Sequence, residues 1–311
     1  MNLADEVIQS MVYPGNERPF IWHGGILQIW VTRACDQACF GCTQGSNLRG
    51  KPGMITLEQF EQAVSSLRNY FGVVGMFGGN PAIHPQFEEL CAIMKKYIPF
   101  ERRGLWCNHP RGKGAICRDT FNPEVSNLNV HMDQEAWDEF VRDWPESEPR
   151  LKGLDEDALH TPPFAALIDH YPDENQRWEK IRGCDINRNW SAMVCVVRGK
   201  VRGYFCEIAG AQAMLHADNP DWPDLGVEVT DDWWRKGPEA FADQVRWHCH
   251  RCGIPMREDP VKAIGDTHEK CSPTHAAIYR PKVKDRPVLV LDEVHEAERY
   301  ATQYLSTEAA R

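Results

Sequence analysis

The sequence predicts an α/β protein whose parallel strands are joined by crossover helices, as an open sheet or a partial barrel. Three observations carry this. Short apolar runs of strand length alternate with amphipathic helical stripes through the first half of the chain. Each strand-to-strand interval leaves room for a helix, which parallel pairing requires. The residues richest in chemistry fall where strands are predicted to end, and α/β folds place ligands there. The 311 residues allow one large domain with an appendage, or two domains.

In order along the chain, Gly25 to Thr32 (GILQIWVT) reads as a strand ending directly before a cysteine cluster. Thr56 to Phe71 carries apolar residues at 57, 60, 63, 64, 67 and 71, a helical stripe with Thr56 as N-cap and Glu58 and Glu61 near its positive end. Val73 to Phe77 is a strand closed by Gly78-Gly79-Asn80-Pro81. A helix over Pro85 to Tyr97, strands over Gly104 to Cys107 and Leu128 to Met132, and a helix over Gln134 to Val141 follow. Pro145 to Pro172 is rich in Pro, Asp and Glu and reads as irregular, with one short helix near Pro163 to His170. Ser191 to Val197 and Val201 to Phe205 flank Arg198-Gly199-Lys200 as a β-hairpin, and helices are expected over Glu207 to His216 and Pro238 to Trp247.

Composition narrows the function classes. Apolar residues at 42% and charged residues at 26% describe an ordinary globular chain. A formal charge of −10 supplies no sequence-wide attraction to nucleic acid or an anionic membrane. No window approaches the 18 or so apolar residues of a membrane span, and Asp5 and Glu6 stand where a signal peptide would be basic and then apolar. A cytoplasmic location is expected. Twelve cysteines are many for such a chain, and a reducing compartment does not keep them as disulfides. Grouping therefore matters more than number.

Cys35, Cys39 and Cys42 have three and two intervening residues, so one tight loop can offer three thiolates to a cubane iron-sulfur cluster and leave its fourth iron open. With this loop after the first strand and Gly78-Gly79-Asn80-Pro81 after the second, the region from 25 to 145 resembles the radical S-adenosylmethionine (SAM) superfamily. The resemblance implies a partial (β/α)6 TIM-like barrel. It also implies a 4Fe-4S cluster on Cys35, Cys39 and Cys42, with SAM chelated to the open iron and cleaved by one electron to methionine and a 5′-deoxyadenosyl radical that takes hydrogen from substrate. Two positions depart from the family pattern: Gly41 stands where an aromatic residue usually precedes the third cysteine, with Phe40 one place earlier, and Asn80 stands where the glycine turn usually has Glu. An amide oxygen at Asn80 can still accept from the SAM ammonium, without charge assistance.

Cys249-x2-Cys252, flanked by His248 and His250, is by itself a weak zinc-knuckle signal. Together with Cys184 and Cys206 around the hairpin, it resembles the auxiliary-cluster appendage of radical SAM enzymes, the twitch domain, a short form of the SPASM domain. This implies a second, fully ligated 4Fe-4S cluster on Cys184, Cys206, Cys249 and Cys252; a four-thiolate zinc site or a ligand set using Cys195 or Cys271 are the alternatives. The expected organisation is an N-terminal extension over 1–24, a radical SAM partial barrel over 25–183, a small hairpin and helix auxiliary-cluster domain over 184–275 and a C-terminal extension over 276–311.

Cys107, at a strand end facing the presumed cavity, and Cys271, in a polar loop, are candidate hydrogen donors to a substrate radical; both have packing or solvent as the plainer reading. His131 and Asp133 are cavity candidates beside the SAM-binding expectations for Phe40, Gly41, Gly78, Gly79, Asn80 and Pro81. Cys91 and the tryptophans 222, 233, 234 and 247 read as core. The resemblance implies a flavodoxin- or ferredoxin-type reductant and a polar small-molecule substrate (sugar, aminocyclitol or nucleotide-like) undergoing dehydrogenation, dehydration or epimerisation. Only 34 residues precede Cys35, whereas peptide-modifying members often carry a leader-binding domain there, which disfavours a peptide. Arg102, Arg103, Arg111, Lys113 and Arg118 keep a nucleobase open. A catalytically silent cluster- or zinc-binding protein is the remaining alternative.

Overall fold

The computed structural model describes residues 2–11, 21, 25–37, 42–46, 48, 53–131, 133–149, 163–184, 191–256 and 272–278. Within them, seven strands form one open sheet: β1 (Ile26–Thr32), β2 (Val73–Gly78), β3 (Arg103–Cys107), β4 (Asn127–Leu128), β5 (Ser191–Val197), β6 (Lys200–Tyr204) and β7 (Val227–Glu228), in the order β4-β3-β2-β1-β5-β6-β7. The first five are mutually parallel, and β6 and β7 are antiparallel additions. β1 lies in the middle, and all but its first residue is buried, as a parallel strand covered on both faces must be.

The sheet departs from the expected six-unit barrel in its connection. The chain steps from β1 to β4 in one direction, then returns to place β5 against the free edge of β1, where Ile26 pairs with Ser191. The hairpin therefore extends the same sheet across the 183/184 boundary.

The helices are α1 (Leu3–Ser10), α2 (Leu57–Ser65), α3 (Phe87–Tyr97), α4 (Gly114–Thr120), α5 (Gln134–Asp143), α6 (Leu167–His170), α7 (Glu174–Arg182), α8 (Glu207–Leu215) and α9 (Pro238–His248). α2 starts where Thr56 predicts, with a capping box in which Thr56 and Gln59 satisfy each other's backbone N–H groups. It stops at Ser65 rather than continuing to Phe71; Leu67 still reaches the core through the turns that follow, while Phe71 is left 69% exposed. β4 is only two residues long.

Three helices have no forecast in the sequence. α4 begins at Gly114 with no capping side chain, α7 buries only Trp178 and Ile181, and α1 lies in the presumed extension. α1 is fastened by Asp5 to Arg246 of α9 at 2.7 Å and by Glu6 to Arg182 of α7 at 3.8 Å. Trp222, Trp233 and Trp234 are buried, as expected, and Trp247 is half-buried. No helix of the described residues is long and apolar enough to cross a membrane.

Candidate functional site

In a doubly wound parallel sheet, the loops after the two strands flanking the reversal point diverge and leave a crevice at the strands' C-terminal ends. Here the reversal lies at β1, and the loop leaving β1 carries Cys35 and Cys42. Backbone-to-backbone contact anchors that loop: Gly79 N donates to Thr32 O and Asn80 N to Ala34 O, each at 2.7 Å. A Cβ on Gly78 would lie 2.2 Å from Thr32 O and one on Gly79 would lie 2.3 Å from Ala34 O. Both positions therefore exclude any side chain, and Gly78 adds a φ of +154°. The glycine pair is what lets the end of β2 touch the start of the cysteine loop.

Cys42 lies near enough to Cys35 for its sulfur to act on that thiol. Burial first, and Cys42 second, push the Cys35 thiol up to about 12. Gln37 N donates to Cys35 Sγ and Ser46 N to Cys42 Sγ, both at 3.4 Å. Cys39, Phe40 and Gly41 lie outside the described residues.

Asn80 is fully buried and committed within the protein. Its Nδ2 donates to Asp36 Oδ2 at 2.5 Å and to His109 O at 2.9 Å, and its Oδ1 accepts from Ala82 N at 3.1 Å and Cys107 Sγ at 3.2 Å. Asn80 thereby joins the loops after β1, β2 and β3. Arg111 completes the group through an ion pair with Asp36. Pro81 follows as the first residue of a short 3-10 turn.

Cys107 is also buried, its sulfur bonded to Asn80 Oδ1 and to His109 O at 3.2 Å, and burial pushes it up to about 12. Its sulfur is thus engaged by Asn80 and the loop after β3. Asp133 caps α5 by accepting from Ala136 N, and His131 takes a left-handed φ of +46° just before it.

Three buried polar groups beside the cysteine loop have atoms without a partner among the described residues. Both ends of the Gln44 amide, at 1% exposure, are unpaired, as are Ser46 Oγ and Asn108 Nδ2. Leaving such groups dry costs about 1–3 kcal/mol each. Orphaned donors and acceptors next to two thiols suit a site built to receive a polar group. Nothing in the sequence singled out Gln44 or Asn108; the one available signal was an amide directly after the last residue of β3.

The second group is assembled from three places. Cys184 follows α7, Cys206 caps α8, and Cys249 and Cys252 flank the turn after α9. Burial drives Cys206, Cys249 and Cys252 well above the ordinary thiol range, and the neighbouring thiols add to it: Cys252 and Cys184 act on Cys206, all three others on Cys249, and Cys184 on Cys252. Ile254 N donates to Cys252 Sγ at 3.4 Å. Cys195 is packed inside β5 with its sulfur toward Gly210 O, and Cys271 lies outside the described residues. No disulfide forms among the described cysteines, and among the described residues no group of three or more His, Cys, Asp or Glu side chains is placed to hold a metal ion. Burial disfavours the thiolate at Cys35, Cys206, Cys249 and Cys252, and a bound cation would stabilise it, so these thiols are of the kind that would suit a thiolate-ligated iron group.

α8 bridges the two groups. It begins directly after Cys206, and Ala211 and Leu215 pack with Leu48, Phe164 and Ile278 in a small apolar cluster of their own. A Cβ on Gly45, in the loop after Cys42, would lie 2.7 Å from Leu215. Nine helical residues span about 14 Å. Phe164 heads a segment whose Leu167 N donates to Cys252 O.

Beside this bridge lies a buried histidine array. His275 Nε2 donates to Arg251 O at 2.7 Å, leaving its Nδ1 to accept from His216 Nε2 at 2.9 Å. The stack of His216 on Trp222, with ring centroids 3.9 Å apart, continues the array. Burial, followed by neighbouring His275 and Arg251, holds His216 down to about 3. Burial also holds His275 down to about 4.

Of the basic residues near β3, Arg111 is held by Asp36, Lys113 by Ala82 O, Arg118 by Glu146 and Arg102 by Arg68 O, while Arg103 is buried with its Nε and Nη1 unpaired among the described residues.

No family model matches the chain, and no curated protein matches it. Among solved structures, it is similar to BtrN in complex with AdoMet and 2-DOIA, at 15% identity and a TM-score of 0.43, over 64% of this chain and 83% of that one.

Proposed function

We propose that the protein is a radical SAM enzyme with an auxiliary iron-sulfur cluster, acting on a polar small molecule. The observation that carries the reading is the placement of Cys35 and Cys42 at the C-terminal end of β1, at the point where the sheet reverses, with the Gly78-Gly79 turn holding their loop. Cys35, Cys39 and Cys42 would hold the first 4Fe-4S cluster, and Cys184, Cys206, Cys249 and Cys252 a second one. Bound at its open iron, SAM supplies the 5′-deoxyadenosyl radical that takes hydrogen from a substrate.

The chain's own residues supply position and polarity. The glycine turn and Asn80 fix the cysteine loop, and the Gln44 amide offers a neutral donor and acceptor. Neutral amides beside the cysteine loop, with Arg111 and Lys113 engaged by internal partners, favour a sugar-like or aminocyclitol-like substrate over an oligonucleotide. The four-thiol set leaves no open iron, which favours dehydrogenation or dehydration; His131, Asp133 and Cys271 remain candidate substrate contacts. A flavodoxin- or ferredoxin-type protein is the proposed reductant, and residues 25–183 and 184–275 the two functional units.

Anaerobic reconstitution should give about eight irons per chain. Dithionite with SAM should then yield 5′-deoxyadenosine, and a panel of sugars and aminocyclitols should stimulate it. A fully loaded protein that leaves SAM intact would be a binding protein instead.

A further inference from the structure

Asn108 directly follows the last residue of β3 and is 6% exposed, with its amide against the first thiol group. Its Oδ1 lies 3.8 Å from Cys35 Sγ as the thiol's acceptor, and its Nδ2 has no partner among the described residues. That arrangement fits only a protonated Cys35. A cysteine bound to iron is a thiolate with no proton to give, so an amide oxygen facing it would be repelled while a buried N–H went unused. Turning the amide over about its terminal torsion exchanges oxygen for nitrogen within the same volume, since the two are nearly isosteric.

We infer that, in the cluster-loaded protein, Asn108 donates an Nδ2–H···S hydrogen bond to Cys35 and sets the reduction potential of the first cluster. The inference rests on the cluster assignment proposed above. One flip removes the repulsion and satisfies the orphan donor. Gln37 N already donates to the same sulfur from the loop itself. Asn108 adds a donor from a different strand, which ties the electronics of the cysteine loop to the position of β3. Hydrogen bonds to cluster sulfurs stabilise the more negative, reduced state and so raise the potential.

The test is EPR-monitored potentiometry of the full chain reconstituted with iron and sulfide, taking as the first cluster the signal lost in Cys35→Ala. Asn108→Leu, which keeps the volume and removes the donor, should lower the midpoint with iron content unchanged. Asn108→Asp, of the same shape but with a carboxylate facing the sulfur, should lower it further. In deuterated buffer, one exchangeable-proton coupling to the reduced cluster should be present in the parent protein and missing from both variants, a signature that a packing role would not produce. Should the leucine variant lose iron, the aspartate variant decides. Midpoints and couplings equal to the parent in iron-replete variants overturn the inference while leaving the cluster reading intact. A parent protein that binds no iron through Cys35, Cys39 and Cys42 overturns both, and the iron count tells the two failures apart.

Discussion

Cys35 and Cys42 sit on one loop and are held by the backbone of β2, whereas Cys184, Cys206, Cys249 and Cys252 come from the ends of three helices and meet only because those helices pack. In the first group the restraint is steric and short in range: two glycines whose missing side chains let main chain touch main chain. In the second it is cooperative, spread over α1, α7, α8 and α9 and the core between them. The difference teaches that the first group should fail through local distortion and the second through loss of packing.

The largest expected effect tests the bridge between them. Phe164→Ala empties the small cluster that joins the Cys42 loop to α8 and should cost about 4 kcal/mol of unfolding free energy in urea. A loss below about 1 kcal/mol would mean that the two regions are held together elsewhere. Next, Gly79→Ala forces a Cβ against Ala34 O and should cost about 3 kcal/mol. The iron content of that variant should fall by about half, from the first group alone. Equal loss from both groups would erase the contrast between local and cooperative assembly.

A smaller effect separates them by pH. His216 and His275 are kept neutral in the fold, with values of about 3 and 4, while an unfolded chain takes up protons on both below pH 6.5. The unfolded state therefore binds more protons between about pH 6.5 and 4, and stability must fall as pH falls through that window, by up to about 1.4 kcal/mol per pH unit for each ring. Arg251, His248 and Asp169 face this pair; Arg251 repels a proton, and Asp169 pulls toward one on His275. His216→Phe, which preserves the stack on Trp222, should flatten the slope of urea-derived stability against pH. An unchanged slope would place the acid sensitivity in other groups. Smallest of all, Arg246→Ala breaks the half-exposed pair with Asp5 that clips α1 to α9, and should cost about 0.5 kcal/mol in the same urea assay, with iron content unaffected. A cost of several kcal/mol would show that α1 is essential to the second group.

The sequence made the first region legible because its information is local. β1 is apolar along nearly its whole length, Thr56 caps the next helix, and the three cysteines and two glycines stand together in the chain. The links of Asn80 to Asp36, Cys107 and His109 were not legible, because those partners arrive from two other loops. α4 and α7 escaped notice because one opens on glycine and the other buries two side chains, too few to make a stripe. The spacing of the second cysteine group was visible, but the pairing of its hairpin with β1 was not, since nothing in the local pattern of β5 names a neighbour so far away.

That pairing has a consequence during synthesis. Ile26 meets Val73 on one side and Ser191 on the other, so the first edge of β1 closes early and the second stays open while the long connection to β5 is made. At 5–20 residues per second the ribosome leaves that apolar edge unpaired for on the order of 10 to 30 s. A central strand with an open edge is a template for wrong partners, and distant pairings form slowly even once the chain is complete. The nascent protein should therefore depend on chaperone occupancy until residue 197 has emerged, and a truncation before β5 should collect in inclusion bodies.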